Sequence, residues 1–193
     1  EVKIADDGEI LSRGPHIMKG YYKDEAGTRE AINEEGWFHT GDIGILDDGY
    51  LRITDRKKNI IVTAGGKNIA PAPIEGALIL NKYFEQALVH GDRRKFVSAI
   101  LVPNFVELGE WATENEITDV TPEALCDNPK VYEMLMTEVA GVMQKFSGYE
   151  AVKEAIILPK EFSVEDGTLT PTLKIKKRVV EERYKAKIDA LYD

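Results

Sequence analysis

The hydrophobic rhythm of this chain changes near residues 54–59, and that change constrains the fold more than any other feature. Before it, short apolar runs flank two Asp-Asp-Gly turn signals, ending at Gly8 and Gly49, which predict β-hairpins. After it, runs of strand length alternate with stretches of helical apolar spacing, such as residues 129–146. We therefore expect a β-rich first part and a mixed second part of α+β or α/β class.

Capping and proline signals predict individual helices. Asp24 is placed to N-cap a short helix through residues 28–32 that Gly36 would stop. Pro71 precedes an apolar run through Leu80, which is typical of a helix with proline in its first turn. The apolar spacing over residues 174–191 predicts one continuous final helix with a single buried face.

Charge and cysteine content limit the function classes. The net charge of −9 argues against nonspecific nucleic-acid binding, which needs Lys and Arg to neutralise phosphates. The single cysteine, Cys126, excludes a disulfide framework, is interpreted as a structural thiol, and favours a reducing, cytoplasmic setting. Seven Lys and Arg residues nevertheless lie within residues 174–187. That segment could meet an anionic substrate, form a solvated helix face, or dock peripherally on a membrane.

Two segments in the first third of the chain have side chains suited to a site. Asp42 follows Gly41, and a carboxylate beside a tight turn can accept hydrogen bonds from ribose hydroxyls, although Thr-Gly-Asp also suits an ordinary turn. The charged run over residues 55–58 lies between two strand-like runs. It is interpreted either as an exposed turn or as a hinge between two bodies.

Two further segments carry glycines or a lysine in a stiffened loop. Gly65 and Gly66 permit close passage of a chain or ligand, but the spacing of a P-loop is absent. Pro171 stiffens the loop before Lys174, whose point charge suits an anionic oxygen. A lysine in this position alone would more often face solvent.

Taken in order, these segments resemble the adenylate-forming enzymes, which include acyl-CoA synthetases, peptide-synthetase adenylation domains and firefly luciferase. The resemblance covers essentially the whole chain: G-Y-Y-K at 20–23, G-W-F-H-T-G-D at 36–42, D-R-K-K at 55–58, G-G-K-N-I-A-P at 65–71 and T-P-T-L-K at 170–174. Residues 128–132, 147–150 and 165–172 are similar to the long-chain fatty acid–CoA ligases in particular.

The resemblance implies a division of the chain into two domains. Residues 1–54 would be the β-rich end of a large N-terminal domain that binds the adenylate. Residues 59–193 would be a small mobile C-terminal domain with a central β-sheet flanked by helices. Residues 55–58 would form the hinge, with Asp55 within it and Lys58 at the pivot.

The same resemblance implies roles for single residues. Asp42 would bind the AMP ribose hydroxyls, and Arg56 would lie near the ribose and phosphates. Lys174 would be the adenylation lysine that bridges the carboxylate and the α-phosphate. Many relatives carry Gly-Lys at this place, whereas Leu173 precedes Lys174 here, so Lys176 stays open as the alternative.

A loop formed by Gly65, Gly66 and Lys67 would line the tunnel for coenzyme A during thioester formation. The implied activity is an ATP- and Mg²⁺-dependent long-chain fatty acid–CoA ligase, with coenzyme A as co-substrate and the N-terminal domain of the same polypeptide as partner. No metal ligands are assigned within this chain, and the chain alone is expected to be inactive. Loading of an acyl group onto a carrier protein and a non-catalytic binding module remain alternatives.

Overall fold

The computed structural model describes residues 1–193 and divides them into two compact units, Glu1–Ile60 and Ile61–Asp193. Strands predominate in the first unit, whereas strands and helices mix in the second. The predicted α+β class is therefore confirmed. None of the helices has both the length and the apolar character needed to cross a bilayer.

The first unit is built on a four-stranded antiparallel sheet in the order β1-β2-β3-β4. Both Asp-Asp-Gly signals form hairpin turns in which Gly8 and Gly49 have φ of 86° and 81°, values that favour glycine. The strands are β1 (Val2–Ile4), β2 (Glu9–Ser12), β3 (Phe38–Asp47) and β4 (Tyr50–Arg56), and a single helix, α1 (Glu25–Ala31), lies between β2 and β3.

Helix α1 begins after the predicted cap and ends at Ala31, one residue before the last predicted helical residue, Ile32. Asp24 caps it, because the side-chain Oδ1 accepts a hydrogen bond from the backbone N–H of Gly27 at 2.8 Å. The chain turns extended at Ile32, which pairs with Phe38, so the helix stops five residues before Gly36. The predicted stop at Gly36 is therefore wrong, because the pairing of Ile32 with the start of β3 ends the helix first.

The second unit has a central three-stranded sheet in the order β7-β8-β9, antiparallel between β7 and β8 and parallel between β8 and β9. A small two-stranded ladder of β5 and β6 precedes it. The strands are β5 (Ile61–Val62), β6 (Asn68–Ile69), β7 (Phe84–His90), β8 (Val97–Pro103) and β9 (Val152–Ile157), and the helices are α2 (Pro71–Ile79), α3 (Phe105–Glu114), α4 (Pro122–Cys126), α5 (Pro129–Met143), α6 (Lys177–Arg183) and α7 (Lys185–Ala190).

Strand β8 lies at the middle of the core of the second unit and is buried along its whole length. Successive side chains of a strand point to opposite faces of the sheet. Ala99 and Leu101 accordingly belong to a cluster with α2, α3, α4 and α5, whereas Ile100 and Val102 belong to a second cluster with α6 and α7. The sheet is therefore flanked by helices on both faces, as the resemblance implied.

The prediction of one final helix over residues 174–191 is wrong. The chain first makes a tight loop closed by a bridge between Leu169 and Ile175, and helix α6 begins only at Lys177. Leu173 has φ of 60°, which a right-handed helix does not allow. A second break at Tyr184 separates α6 from α7, and the buried side chain of α6 is Val180.

Candidate functional site

Asp42 and Arg56 lie directly opposite each other on β3 and β4 of the first unit. The Nε atom of Arg56 is 2.8 Å from Oδ1 of Asp42, which makes a charge-assisted pair. Asp42 is 24% exposed and Arg56 is 62% exposed. The carboxylate is therefore held in place, while most of the arginine side chain stays open to an anionic ligand.

The Thr40-Gly41-Asp42 segment is a bulge within β3 and not the ordinary turn left open by the sequence. Glu9 pairs with Ile43 and Leu11 pairs with His39, so three residues of β3 oppose one residue of β2. Gly41 takes the positive φ of 69° that this bulge requires.

Side chains satisfy the backbone groups that the bulge removes from the ladder. The hydroxyl of Thr40 accepts from the N–H of Asp42 at 3.1 Å and donates to the carbonyl of Ile10 at 2.7 Å. The N–H of Gly41 donates to Oε1 of Glu9 at 2.9 Å. The backbone beside Asp42 is thus fixed by hydrogen bonds that need these particular residues.

Glu9 is a buried acid that the sequence did not single out. Its Oε2 lies 2.9 Å from Nδ1 of His39 and accepts from Nζ of Lys57 at 2.8 Å. Burial alone would raise the pKa of Glu9, but the hydrogen bonds from Lys57, His39 and Gly41 outweigh it and hold the pKa below its ordinary value. No local pattern marks Glu9, since the two residues after it in β2 are buried as well.

The predicted hinge segment, residues 55–58, contains Arg56 and begins at the end of β4. Asp55 is buried, and its Oδ1 accepts from the N–H of Arg56 at 2.7 Å and from the side-chain amide of Asn59 at 3.1 Å. Lys58 is exposed in a 3₁₀ turn, Lys57–Asn59, that ends just before the first unit does. The assignment of Asp55 and Lys58 to a hinge stays a prediction.

The Gly65–Gly66–Lys67 loop lies in the second unit, between β5 and β6. Thr63 closes it, because its backbone N–H donates to the carbonyl of Lys67 and its hydroxyl accepts from the N–H of Lys67, both at 3.1 Å. Gly66 has φ of 73°, and a Cβ there would meet nothing within 4 Å. Gly66 is therefore required by backbone conformation and not by lack of space. All three residues are exposed.

The turn between β7 and β8 fixes the base of this loop. The N–H of Ala64 donates to the carbonyl of Arg94 at 2.9 Å, and the N–H of Val62 donates to the carboxylate of Asp92 at 3.1 Å. The loop is consequently exposed at its tip and hydrogen-bonded at its base.

Lys174 lies at the end of the loop before α6, where its side chain is exposed. Thr170 holds its backbone on both sides, because Thr170 N–H donates to the carbonyl of Lys174 at 2.8 Å and the Thr170 hydroxyl accepts from the N–H of Lys174 at 3.1 Å. Lys176 is also exposed and stands at the position just before α6. The geometry of this unit alone does not choose between the two lysines.

Asp166 anchors the other end of the Lys174 loop. Its Oδ1 accepts from the N–H of Thr168 at 3.0 Å and from the Thr168 hydroxyl, and its Oδ2 accepts from Nη1 of Arg183 at 2.8 Å. The bonds from Thr168, reinforced by Arg183 and Ser163, hold the pKa of Asp166 well below its ordinary value. The loop is thereby tied to helix α6.

The structure brings Asp42 and Arg56 into direct contact in the first unit. In the second unit, the 65–67 loop and Lys174 lie on separate segments that no hydrogen bond or ion pair joins. No three His, Cys, Asp or Glu side chains of the chain are grouped to hold a metal ion.

Comparison with known proteins identifies the family. Residues 58–193 match the model of the AMP-binding enzyme C-terminal domain. The chain belongs to the AMP-binding enzymes. It is 40% identical over its whole length to the long-chain-fatty-acid–CoA ligase FadD15 of Mycobacterium tuberculosis, and 38% identical over 96% of its length to long-chain-fatty-acid–CoA ligase 1 of Cavia porcellus. It spans 32% and 27% of these two proteins, respectively.

Solved structures of the family share this fold. The chain matches the A domain of a carboxylic acid reductase from Segniliparus rugosus, solved with AMP and a carboxylic acid, with a TM-score of 0.75 and 25% identity over 96% of the chain and 28% of that protein. The adenylation domain of a carboxylate reductase from Mycobacterium chelonae gives a TM-score of 0.76 at 24% identity, over 100% of the chain and 31% of that domain.

Proposed function

We propose that this chain is the C-terminal part of an ATP-dependent long-chain fatty acid–CoA ligase. The cross-strand pair of Asp42 and Arg56 carries the proposal, because it sets a hydrogen-bond acceptor for a ribose beside an exposed cation for a phosphate. The names of relatives that align with the whole chain support fatty acid as the substrate and coenzyme A as the acceptor.

The proposed reaction has two steps. In the first, a fatty acid carboxylate oxygen attacks the α-phosphorus of ATP, and pyrophosphate leaves. In the second, the coenzyme A sulfur attacks the acyl carbonyl carbon, and AMP leaves with the bonding electron pair. Negative charge accumulates in the first step, so cations must lie where it develops. We assign that role to Lys174 and Arg56, and ribose binding to Asp42.

Mg²⁺ and coenzyme A complete the proposal. Mg²⁺ would neutralise polyphosphate charge, and we expect it to arrive as its complex with ATP. The exposed 65–67 loop would line the path of the coenzyme A thiol. Gly66 suits this role because its left-handed backbone favours glycine, and glycine brings no side chain to the loop tip.

We further propose that residues 1–54 end the large adenylate-binding domain and that residues 59–193 form the mobile domain. The hinge would comprise residues 55–58. Lys174 would then serve the first step and the 65–67 loop the second, in two poses of the mobile domain. The boundary between the compact units after Ile60 and the match from residue 58 support a division in this region.

The test uses the full-length protein with Lys174→Ala and measures fatty-acid-dependent pyrophosphate release from ATP. Because Lys174 is exposed, its loss should leave folding intact but lower this rate by about 10²–10³-fold. Thioester formation from preformed acyl-AMP and coenzyme A should survive. Lys176→Ala is the matched control and should retain pyrophosphate release.

Three other results would redirect the proposal. Unchanged pyrophosphate release in Lys174→Ala with loss in Lys176→Ala would move the catalytic role to Lys176. A wild-type protein that releases pyrophosphate but prefers a carrier-protein thiol over free coenzyme A would be a loading enzyme, a reading favoured by the match to a reductase A-PCP didomain. Absence of acid-dependent pyrophosphate release would leave a binding module.

A further inference from the structure

We propose that Glu9 is a positioning residue that holds the Asp42–Arg56 pair in its ligand-binding geometry and links it to the segment 55–58. Glu9 forms no hydrogen bond or ion pair with either member of the pair. It acts through the residues beside them, Gly41 and Lys57. This inference rests on the proposed function and assigns to it a residue that no motif of the sequence marked.

Glu9 is buried within the first unit. Its side chain is only 4% exposed, and an ionised carboxylate at such a position is costly unless several donors reach it. Replacement of a buried ionic group by a well-packed apolar one is often neutral or stabilising, so stability alone is weak grounds for a glutamate here. A role in fixing one backbone arrangement explains the charge better.

Two hydrogen-bond partners of Glu9 are sequence neighbours of the Asp42–Arg56 pair. Oε1 accepts from the N–H of Gly41, the residue before Asp42, and Oε2 accepts from Nζ of Lys57, the residue after Arg56. One carboxylate thus spans the β3 bulge and the 3₁₀ turn that follows β4. Each of its oxygens is fixed one residue away from a member of the pair.

Lys57 is bound by two acids at once. Its Nζ lies 2.7 Å from Oδ2 of Asp7 as well as 2.8 Å from Glu9, and both acids belong to the hairpin of β1 and β2. The hydrogen bonds that Lys57 donates to Asp7 and Glu9 raise the pKa of Lys57 above its ordinary value, so this lysine is protonated at neutral pH. The residue after Arg56 is therefore bound through its side chain to the hairpin of β1 and β2, which β3 separates from β4 in the sheet.

The test uses the full-length enzyme with Glu9→Gln, Lys57→Met and the double variant. Glu9→Gln keeps the volume and one acceptor for Gly41 but removes the charge that holds Lys57. AMP affinity by calorimetry and the KM for ATP in pyrophosphate release should each worsen roughly tenfold or more, because small misplacement of binding groups has effects of this size. The exposed neighbour Asp6→Asn is the control and should behave as wild type.

The double variant separates positioning from general destabilisation. If both residues act through one contact, its loss of AMP affinity should equal that of either single variant and not their product. The KM for coenzyme A in the second step should stay within twofold of wild type. An unfolded fraction of the protein would lower kcat and leave the KM for ATP unchanged, so a raised KM for ATP reports altered binding and not unfolding. Lys57→Met keeps the test decisive if Glu9→Gln fails to fold, since Lys57 is only half-buried.

AMP affinity and KM for ATP equal to those of Asp6→Asn would overturn the inference, and so would multiplicative losses in the double variant. These outcomes differ from failure of the proposed function itself. In that case the wild-type enzyme would show no fatty-acid-dependent pyrophosphate release before any variant was compared.

Discussion

Replacement of Asp166 by alanine should destabilise the second unit by removing the anchor of the loop that presents Lys174. The carboxylate accepts from the N–H and hydroxyl of Thr168 and from the guanidinium of Arg183. Thr168 is fully buried, so its N–H would lose its partner without gaining water. Its hydroxyl would keep a second bond, to the carbonyl of Ser163 at 3.2 Å.

The magnitude follows from these contacts. An orphaned buried N–H costs about 1–3 kcal/mol, whereas a partly exposed ion pair contributes about 0–1 kcal/mol. Asp166 and Arg183 are 19% and 37% exposed, so the pair belongs to the weaker class. We expect the free energy of unfolding to fall by about 1–4 kcal/mol at neutral pH.

Urea unfolding followed by tryptophan fluorescence can measure this loss within the second unit. The chain has two tryptophans, and a Trp37→Phe background leaves Trp111, which packs on the core around α5, as the reporter. The control is Glu165→Ala, an exposed acid next to Asp166. It should change the unfolding free energy by no more than about 0.5 kcal/mol.

The effect should also depend on pH in one direction. Because the folded pKa of Asp166 is depressed, its contribution is present above the unfolded value of about 4 and is lost as pH falls through the folded value. The difference between wild type and Asp166→Ala should therefore be constant near neutral pH and shrink below about pH 4. A loss no larger than that of Glu165→Ala, or a difference that grows on acidification, would refute the reasoning.

Two further outcomes are expected. Leu173→Gly should raise the unfolding free energy by about 0.5–1 kcal/mol, because the left-handed backbone costs leucine more than glycine loses in conformational entropy. The control Thr172→Gly should lower the unfolding free energy. Equal losses of unfolding free energy for the two variants in urea titrations would contradict this. Burial, together with the negative charges of Asp127 and Glu123, raises the pKa of Cys126 to about 11. Iodoacetamide at pH 8 should therefore alkylate Cys126 roughly a hundredfold more slowly in the folded chain than in urea. Equal alkylation rates would contradict this.

Local signals predicted most of the fold because they act over a few residues. Asp-Asp-Gly turns, the Asp24 cap and the Pro71 helix start depend on neighbours in sequence, and all of them are confirmed. The final helix was missed because its apolar spacing continues through a loop. The positive φ of Leu173 and the bridge at Ile175 break the helix, and neither is visible in hydrophobic periodicity.

Only those candidate site residues that lie within motifs could be named from the sequence. Asp42 and Arg56 are fourteen positions apart in sequence, and only the β3–β4 register explains why they meet. Glu9 reaches Lys57 across 48 positions, and such a pairing needs the assembled sheet. The sequence therefore pointed to residues that lie within motifs and missed Glu9, a buried acid that none of those motifs marked.

Some of these side chains project from a fixed backbone, whereas others hold the backbone in place. This difference gives a criterion for assigning roles to the residues. Lys174 and Arg56 project from backbones held by Thr170 and by the β3–β4 ladder, so their truncation removes charge and little packing. Asp166 and Glu9 hold backbones in place, so their loss should alter structure and activity together. A variant that lowers pyrophosphate release at unchanged unfolding free energy thus identifies a group at the reacting atoms, and a coupled loss identifies one that positions it.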